Sequence, residues 1–303
     1  MTVDGILNVN KPLQWTSFDV VALVRRLSGE KRVGHAGTLD PAAEGVLVIS
    51  LGQATRVVEY LLDAGKSYRA RIRLGAVTDS YDAEGTVIRS GDPSSVTREA
   101  VEEALRHFRG VIDQTPPMFS ALKRDGVPLY RHARAGREVE REPRSVEIYH
   151  LDLLDFAPPV VTVELDCGRG VYVRSLAFDL GERLGCGAHL AGLVRLAVGP
   201  FRLESAVSID ALRDAFSSGG WERLLSPIDS VLLDWPAITL SEEESRAVRQ
   251  GRTLERAPAV EGSASIPDGA RCRAYSPDGR LIALLRYLGD KRWQPLKVLS
   301  GPD

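Results

Sequence analysis

No stretch of this 303-residue chain is apolar for long enough to cross a membrane as a helix. Its longest hydrophobic run, Gly45 to Leu51, falls far short of the roughly 20 residues such a span needs. The N-terminus, Met1 to Val9, has no cationic start followed by an apolar segment, so nothing marks the chain for export and a cytoplasmic protein is expected. Cysteine is scarce. Cys167, Cys186 and Cys272 are odd in number and widely spaced, which fits neither a disulfide framework nor a zinc site of paired CxxC knuckles, and they read as free thiols. An excess of one charge is also missing: 39 basic residues face 41 acidic ones, so composition alone gives no support to a nucleic-acid partner, and any such site must be a local patch. There is no GxxxxGK[ST] phosphate loop, no GxGxxG, no HExxH and no GxSxG elbow. Nucleotide-driven and zinc-driven chemistry are therefore disfavoured, and neither cofactor nor metal is expected.

What is present reads as a folded chain longer than one usual domain. Ile6 to Val9 suggests a short strand, and Ser17 offers an N-cap to a helix carrying Val20, Val21, Val24 and Leu27 at helical spacing. Gln53 to Leu62 suggests a second amphipathic helix, with Val57, Val58, Leu61 and Leu62 inward. Tyr68 to Leu74 alternates apolar residues with Arg69, Arg71 and Arg73, the pattern of a half-buried strand. Thr97 to Phe108 predicts a helix and Val160 to Leu165 a strand. After the turn Cys167 to Gly170, the spacing of Val173, Leu176, Ala177, Leu180 and Leu184 predicts a helix with Arg174 off the core stripe. The order is α+β, without the regular alternation a doubly wound parallel sheet requires. A boundary is expected near Asp234, Trp235 and Pro236. Beyond it Ser241 and Glu244 form a capping box, and short strands are expected at Arg271 to Tyr275, Leu281 to Tyr287 and Trp293 to Leu299. Val260 to Gly269 reads as a loop inside this β-rich tail.

Two stretches carry chemistry. Gly34 to Gly45, GHAGTLDPAAEG, packs three glycines and a proline into twelve residues, so its backbone bends tightly and can approach a ligand closely. Asp40, preceding Pro41, is pushed towards an extended conformation. On the residues alone it is either a reactive carboxylate or a turn residue capping a neighbouring backbone. Lys123 to Arg144 holds seven basic and four acidic residues, which reads either as a phosphate-binding patch or as a solvated hairpin.

The string GHAGTLDPAAEGVLVISLGQATR, with NVNKPLQWTS before it and KSYRARIRLG after, resembles the bacterial tRNA pseudouridine-55 synthase (TruB) family. So do PPMFSALKRDGVPLYRHARAG from Pro116 to Gly136 and CGRGVYVRSLAFDLGERLGCGAHLAGLVR from Cys167 to Arg195. These blocks run in order over roughly Gly5 to Phe201, about two thirds of the chain.

The resemblance implies a cofactor-free isomerisation in which a uridine breaks its N-glycosidic bond, turns its base over and rejoins through carbon 5. Asp40 would be the essential carboxylate, attacking sugar or base or taking a sugar proton, as carboxylates handle oxocarbenium-like centres. Arg174, in VYVRS, would pair with it and keep it ionised in a dry pocket. Tyr68, in KSYRA, would stack on the flipped uracil and serve proton movement at carbon 5. Tyr172 and Leu193 would border the pocket. His35 would fill the place the extruded base leaves, and Lys11 would support the active-site loop or contact an RNA phosphate. Lys123, Arg124 and Arg131 fall in the insertion, about residues 115–145, that would grip the tRNA T-arm and give salt-dependent affinity.

The sequence departs from the family pattern at Gln14, where glycine is common, and at Ala42 and Glu44, which puts loop geometry rather than reaction class in question. The fold implied is a pseudouridine synthase catalytic domain over residues 1–234, with a mixed, mainly antiparallel sheet, followed by a small β-rich PUA-like domain over 235–303. The protein is expected to act on tRNA as a monomer without an obligatory protein partner or a membrane. Two alternatives stand beside this: a guide-RNA-dependent synthase subunit, and a tRNA-binding or tRNA-folding protein without catalysis.

Overall fold

The computed structural model describes residues 3–256 and 267–299, so Val260 to Ile266 of the expected loop lie outside the described residues. The larger unit is built from Gly5–Lys11 (β1), Ser17–Ser28 (α1), Val33–Ala36 (β2), Ala43–Leu51 (β3), Lys66–Leu74 (β4), Arg98–Arg106 (α2), Gly110–Gln114 (β5), Arg144–Ala157 (β6), Val160–Cys167 (β7), Val173–Arg183 (α3), Ala188–Val198 (β8) and Ile209–Ser218 (α4). The sheet runs β1-β3-β8-β4-β7-β6-β5, with Leu225–Ser226 beyond β1, β2 against β3, and Phe201–Arg202 against β8. Among the described residues every pairing in it is antiparallel except β3 with β8. The architecture is therefore α+β with a mixed, mainly antiparallel sheet.

Sequence pattern decides which strands lie deepest. The uninterrupted run of β3 is buried on both faces. Leu47, Ile49 and Leu51 pack with Val20, Val24 and Leu212 from α1 and α4, whereas Val46 and Val48 pack with Leu61, Val198 and Phe201 on the other side. The alternating β4 is covered on one face only. Tyr68, Ala70, Ile72 and Leu74 meet α2 and α3, while Arg69, Arg71 and Arg73 face solvent. Among the described residues no helix is long and apolar enough to cross a membrane.

Local chemistry shifts two expected boundaries. The cap of α1 is Thr16, not Ser17: the Thr16 hydroxyl accepts from the Asp19 N–H, and the Asp19 carboxylate accepts from the Thr16 N–H at 2.8 Å. That capping box frees the Ser17 hydroxyl for another task. The helix expected over Gln53 to Leu62 splits into a 3-10 turn at Gly52–Arg56 and a short helix at Val58–Leu62. Thr55 donates its hydroxyl to the Gly52 carbonyl, a local bond that competes with regular helix, and Leu62 ends up exposed.

The C-terminal sheet runs Ala237–Thr239, Arg271–Tyr275, Leu281–Tyr287, Arg292–Val298, Leu254–Glu255 around the fully buried Trp293. The capping box at Ser241 and Glu244 forms as expected. This sheet is fastened to the larger unit. The Arg271 guanidinium lies over the rings of Tyr60 and Trp235 at 5.8 and 5.4 Å, Lys297 pairs with Glu59 at 2.8 Å, and Val57 and Leu232 pack with Leu284 and Leu299.

Gln14 sits at φ +65°, and its N–H donates to the Pro41 carbonyl at 2.9 Å, so the loop before α1 rests on the loop carrying Asp40. A non-glycine residue there costs about 1–2 kcal/mol, against the roughly 0.5–1 kcal/mol of chain entropy a glycine adds. Gln14→Gly is expected to stabilise the protein by about 0.5 kcal/mol, the difference of those two effects. Urea unfolding checks this, and a fall in midpoint would show the glutamine side chain to be holding the loop.

Candidate active site

Asp40 stands at the end of a loop that three other segments hold in place. Ser17 clamps the preceding residue from α1: its hydroxyl donates to the Leu39 carbonyl at 3.1 Å and accepts from the Leu39 N–H at 2.9 Å. Arg195 of β8, 1% exposed, holds the loop from the opposite side. Its guanidinium donates to the carbonyls of Val46 at 2.6 Å, Gly37 at 3.1 Å and Thr38 at 3.4 Å. The parallel pairing of Leu193, Val194 and Arg195 with Ala43, Glu44 and Gly45 makes that reach possible. It requires glycine at position 45, where a Cβ would lie 2.3 Å from the Arg195 carbonyl oxygen. The third fastening is the loop before α1, whose Gln14 N–H donates to the Pro41 carbonyl at 2.9 Å and which is itself held by the Lys11 ammonium, a donor to the carbonyls of Pro12 at 2.9 Å and Trp15 at 2.6 Å.

Arg174 meets Asp40 from α3. Its Nη2 lies 2.9 Å from Asp40 Oδ2 and donates to the Phe119 carbonyl, also at 2.9 Å. Its Nη1 lies 3.6 Å from Asp82 Oδ2 and donates to the Ser80 carbonyl at 3.4 Å. One guanidinium thus bridges two carboxylates and two carbonyls. The environments of the partners differ. The Arg174 side chain is 9% exposed and that of Asp82 11%, but the Asp40 side chain is 45% exposed. Asp40 is therefore held on one side and open on the other, and the dry pocket expected from the sequence is not closed.

The other residues singled out above divide into those around this pair and those away from it. Tyr68 is buried near the start of β4, opposite Arg195 in register, and burial pushes its phenol above the ordinary tyrosine range. Tyr172 immediately precedes α3. Its N–H donates to Gln114 Oε1 at 2.7 Å and its carbonyl accepts from Gln114 Nε2 at 3.1 Å, so one buried amide fixes the start of the helix that carries Arg174. Burial also raises the Tyr172 phenol. Leu193 is half-buried against the core beneath α3. His35 is half-buried in β2, and burial, aided by the Arg195 charge, lowers its pKa, which favours the neutral ring.

Lys123, Arg124 and Arg131 are exposed on a separate feature. It is a two-stranded hairpin, Lys123–Arg124 with Val127–Pro128, followed by the helix Leu129–Arg134. Its Asp125–Gly126 turn has both residues at positive φ, +51° and +79°, as tight hairpins demand. This feature is tied to the site at its root. Besides Phe119 on Arg174, the Thr115 carbonyl accepts from the Ser175 hydroxyl at 2.7 Å, and within the insertion the Pro116 carbonyl accepts from Arg141 at 3.0 Å. For Lys11 the expectation of an RNA phosphate contact needs correction. The residue is fully buried and its ammonium donates to two carbonyls of the loop before α1, so it is placed to support that loop.

Sequence reasoning missed Asp82, Arg195, Ser17 and Gln114. Asp82 looks like any acidic turn residue in TDSYDAEG. Arg195 did leave a signal: a lone arginine inside the apolar strand GLVRLAVG is a charge that the fold must satisfy internally.

Three family models match the chain in sequence: TruB family pseudouridylate synthase N-terminal domain over residues 25–173, tRNA pseudouridylate synthase B C-terminal domain over 174–233, and tRNA pseudouridine synthase II C-terminal over 235–300. The tRNA pseudouridine synthase B of Dehalococcoides mccartyi is 44% identical over 298 residues, covering 98% of this chain and 96% of that protein. The chain belongs to the TruB family. The enzyme of the same name from Geobacter sulfurreducens is 45% identical over 284 residues, 93% of each chain. In structure, the chain resembles the crystal structure of an archaeal box H/ACA sRNP Nop10–Cbf5 complex, with a TM-score of 0.75 at 26% identity, covering 99% of this chain and 87% of that one. As a TruB protein it is an RNA pseudouridine synthase, an isomerase.

Lysine in place of Arg174 keeps the charge but cannot bridge four acceptors from one planar group. Arg174→Lys is expected to cut turnover by about a hundredfold, roughly 2.7 kcal/mol in barrier. Asp40 stays hydrated, so stability should fall by less than about 2 kcal/mol. Single-turnover kinetics with thermal unfolding test the two figures together; full activity in the variant would reduce Arg174 to a packing residue.

Burial lowers the Lys11 ammonium from 10.5 to about 8, against the opposing pull of Asp40. The folded protein then gives up this proton before the unfolded chain does, so stability rises as pH climbs from about 8 to 10. Lys11→Met should flatten that rise. Urea midpoints for both proteins at the two pH values measure it, and parallel slopes would assign the rise to another group.

Proposed function

We propose that the protein converts the T-loop uridine of tRNA, position 55, to pseudouridine, acting alone in the cytoplasm with the Asp40 carboxylate as the reacting group and no cofactor. The observation that carries this reading is the Asp40–Arg174 contact at 2.9 Å, with the Asp40 side chain 45% exposed beside a nearly buried guanidinium. A carboxylate so placed is held by its ion pair with the guanidinium and still reachable by an extruded nucleotide.

The reaction breaks the bond between N1 and C1′, rotates the uracil and forms a bond from carbon 5 to C1′, after which the proton at carbon 5 leaves and N1 carries one. A carboxylate serves by attacking C1′, by adding to the base, or by taking a sugar proton, and each route needs the ionised form of Asp40. Tyr68 and Tyr172 provide aromatic surface, and Leu193 an apolar wall. The upward pull of burial on the Tyr68 phenol favours its stacking role, which involves no change of protonation. His35 fills the vacated stacking position as a neutral planar ring, which costs less to desolvate than a cation. Lys11 steadies the loop beneath.

Lys123, Arg124 and Arg131 grip T-arm phosphates from the hairpin insertion. Residues 1–234 form the catalytic domain with that insertion at about 115–145, and 235–303 a PUA-like RNA-binding domain. The enzyme works as a monomer without an obligatory protein partner. The guide-dependent reading draws on the likeness to the Cbf5 complex, but 44% identity to a tRNA pseudouridine synthase B over nearly the full length of both chains favours the stand-alone enzyme.

Asp40→Asn keeps shape and removes the charge. On an unmodified tRNA transcript, with no guide RNA or second protein, the native chain should form pseudouridine in the T-loop. The variant should lose at least about 10⁴-fold of the rate while binding the transcript within a few-fold, a barrier change of roughly 5.5 kcal/mol. Turnover persisting in the variant would remove Asp40 from the chemistry, and a need for guide RNA would overturn the stand-alone reading.

A further inference from the structure

Tyr81 is the one aromatic residue at positive φ among the described residues, at +64°. A bulky side chain in the left-handed region crowds its own backbone, so the conformation persists only where its surroundings over-determine it. Main-chain bonds supply part of that restraint. The Tyr81 N–H donates to the Thr78 carbonyl at 3.2 Å, the Tyr81 carbonyl accepts from the Leu190 N–H at 2.9 Å, and the Thr78 hydroxyl donates to the Asp82 carbonyl at 2.7 Å. The rest comes from the ring, which stacks on Phe178 with centroids 4.2 Å apart and planes 14° from parallel. Phe178 follows Arg174 by four residues on α3, so the two side chains rise one turn apart on neighbouring parts of the same helical face.

The left-handed step turns the chain between Ser80 and Asp82. As a result the Ser80 carbonyl and the Asp82 carboxylate face Arg174 together, at 3.4 and 3.6 Å. Asp82 is itself pinned inside the turn, accepting from the Ser80 hydroxyl at 2.6 Å and from the Glu84 N–H at 3.1 Å. The turn is thus well bonded internally, but its attachment to α3 by side-chain packing runs through the Tyr81 ring.

We propose that the Tyr81–Phe178 stack clamps this strained turn to α3, making Tyr81 a positioning residue for Arg174 and, through Arg174, for the Asp40 carboxylate. This rests on the reading of Asp40 as the reacting group. Tyr81 makes no hydrogen bond to Asp40 among the described residues, and the bonded route from the turn to Asp40 is the shared guanidinium. If the clamp loosens, Asp82 and Ser80 withdraw from Nη1, and Arg174 no longer has a fixed direction from which to hold Asp40. Substrate binding, which falls to the hairpin insertion and the open face of the site, should hardly change.

The test uses the full chain and an unmodified tRNA transcript, with single-turnover pseudouridine formation, transcript affinity and thermal midpoint measured for each variant. Tyr81→Phe keeps the stack and should stay within about twofold of the native rate. Tyr81→Leu and Phe178→Leu should each slow the chemical step at least tenfold, with affinity within about twofold. Glycine adopts the left-handed angle without a clamp, so Tyr81→Gly combined with Phe178→Leu should recover most of what Phe178→Leu loses. Packing alone would give the opposite order, because the double variant removes more apolar surface and should be the worst of the set.

The proposal is overturned if both leucine variants keep the native rate, if rate and affinity fall in parallel, or if the glycine double variant is slower than Phe178→Leu. Should Phe178→Leu fail to fold, Tyr81→Leu decides, since the Tyr81 ring is only half-buried. Asp40→Asn run alongside separates the two readings. Turnover in that variant sinks the role of Asp40, whereas its loss together with native rates in both leucine variants sinks the clamp alone.

Discussion

One guanidinium organises the candidate site. Arg174 is nearly buried, and a buried cation must be satisfied at each of its donors or it destabilises the fold. Its acceptors come from three separate places: Asp40 on the loop between β2 and β3, Ser80 and Asp82 on the turn after β4, and Phe119 at the root of the hairpin insertion. None of the three is adjacent to α3 in sequence, so the electrostatic needs of one side chain bring the carboxylate, its supporting turn and the basic hairpin to one spot. The arrangement is asymmetric: Ser80 and Asp82 are buried, whereas Asp40 is left half-open.

A second buried cation sets the level at which this happens. Arg195 has no carboxylate partner among the described residues and is satisfied by main-chain carbonyls, so it fixes the backbone ahead of Asp40 without neutralising the carboxylate itself. Its charge also helps keep His35 neutral and adds to the lowering of Lys11. Structure and electrostatics are coupled here. The same guanidinium that holds the loop adds to what burial already does to the protonation of His35 and Lys11.

Much of the fold was legible in the chain because its patterns are strong. The alternation from Tyr68 to Leu74 is a strand covered on one face, whereas the apolar run at Gly45 to Leu51, a strand covered on both, has no alternation to announce it and is not read as one. The spacing after Val173 gave α3 with Arg174 aimed away from the core stripe. Where the reading slipped, two local bonds competed. Thr16 took the cap expected of Ser17, and the Thr55 hydroxyl helped divide the segment Gln53 to Leu62. Within the site, motif resemblance marked Asp40, Tyr68 and Arg174 because their side chains sit in recognisable strings. Asp82 and Gln114 act through geometry that a string does not carry: an acidic turn and an amide at a strand end have the same letters whether or not a guanidinium or a helix start lies opposite.

The pairing of β3 with β8 also governs when the site can come into being. Arg195 bonds to Val46 across 149 residues of chain, and contacts that distant close slowly because a long loop must be ordered before any reward is collected. During synthesis the segment bearing Asp40 leaves the ribosome early but has no buried arginine to hold it until β8 has emerged. The loop bearing Asp40 is therefore among the first parts of the chain to be made and among the last to take its shape.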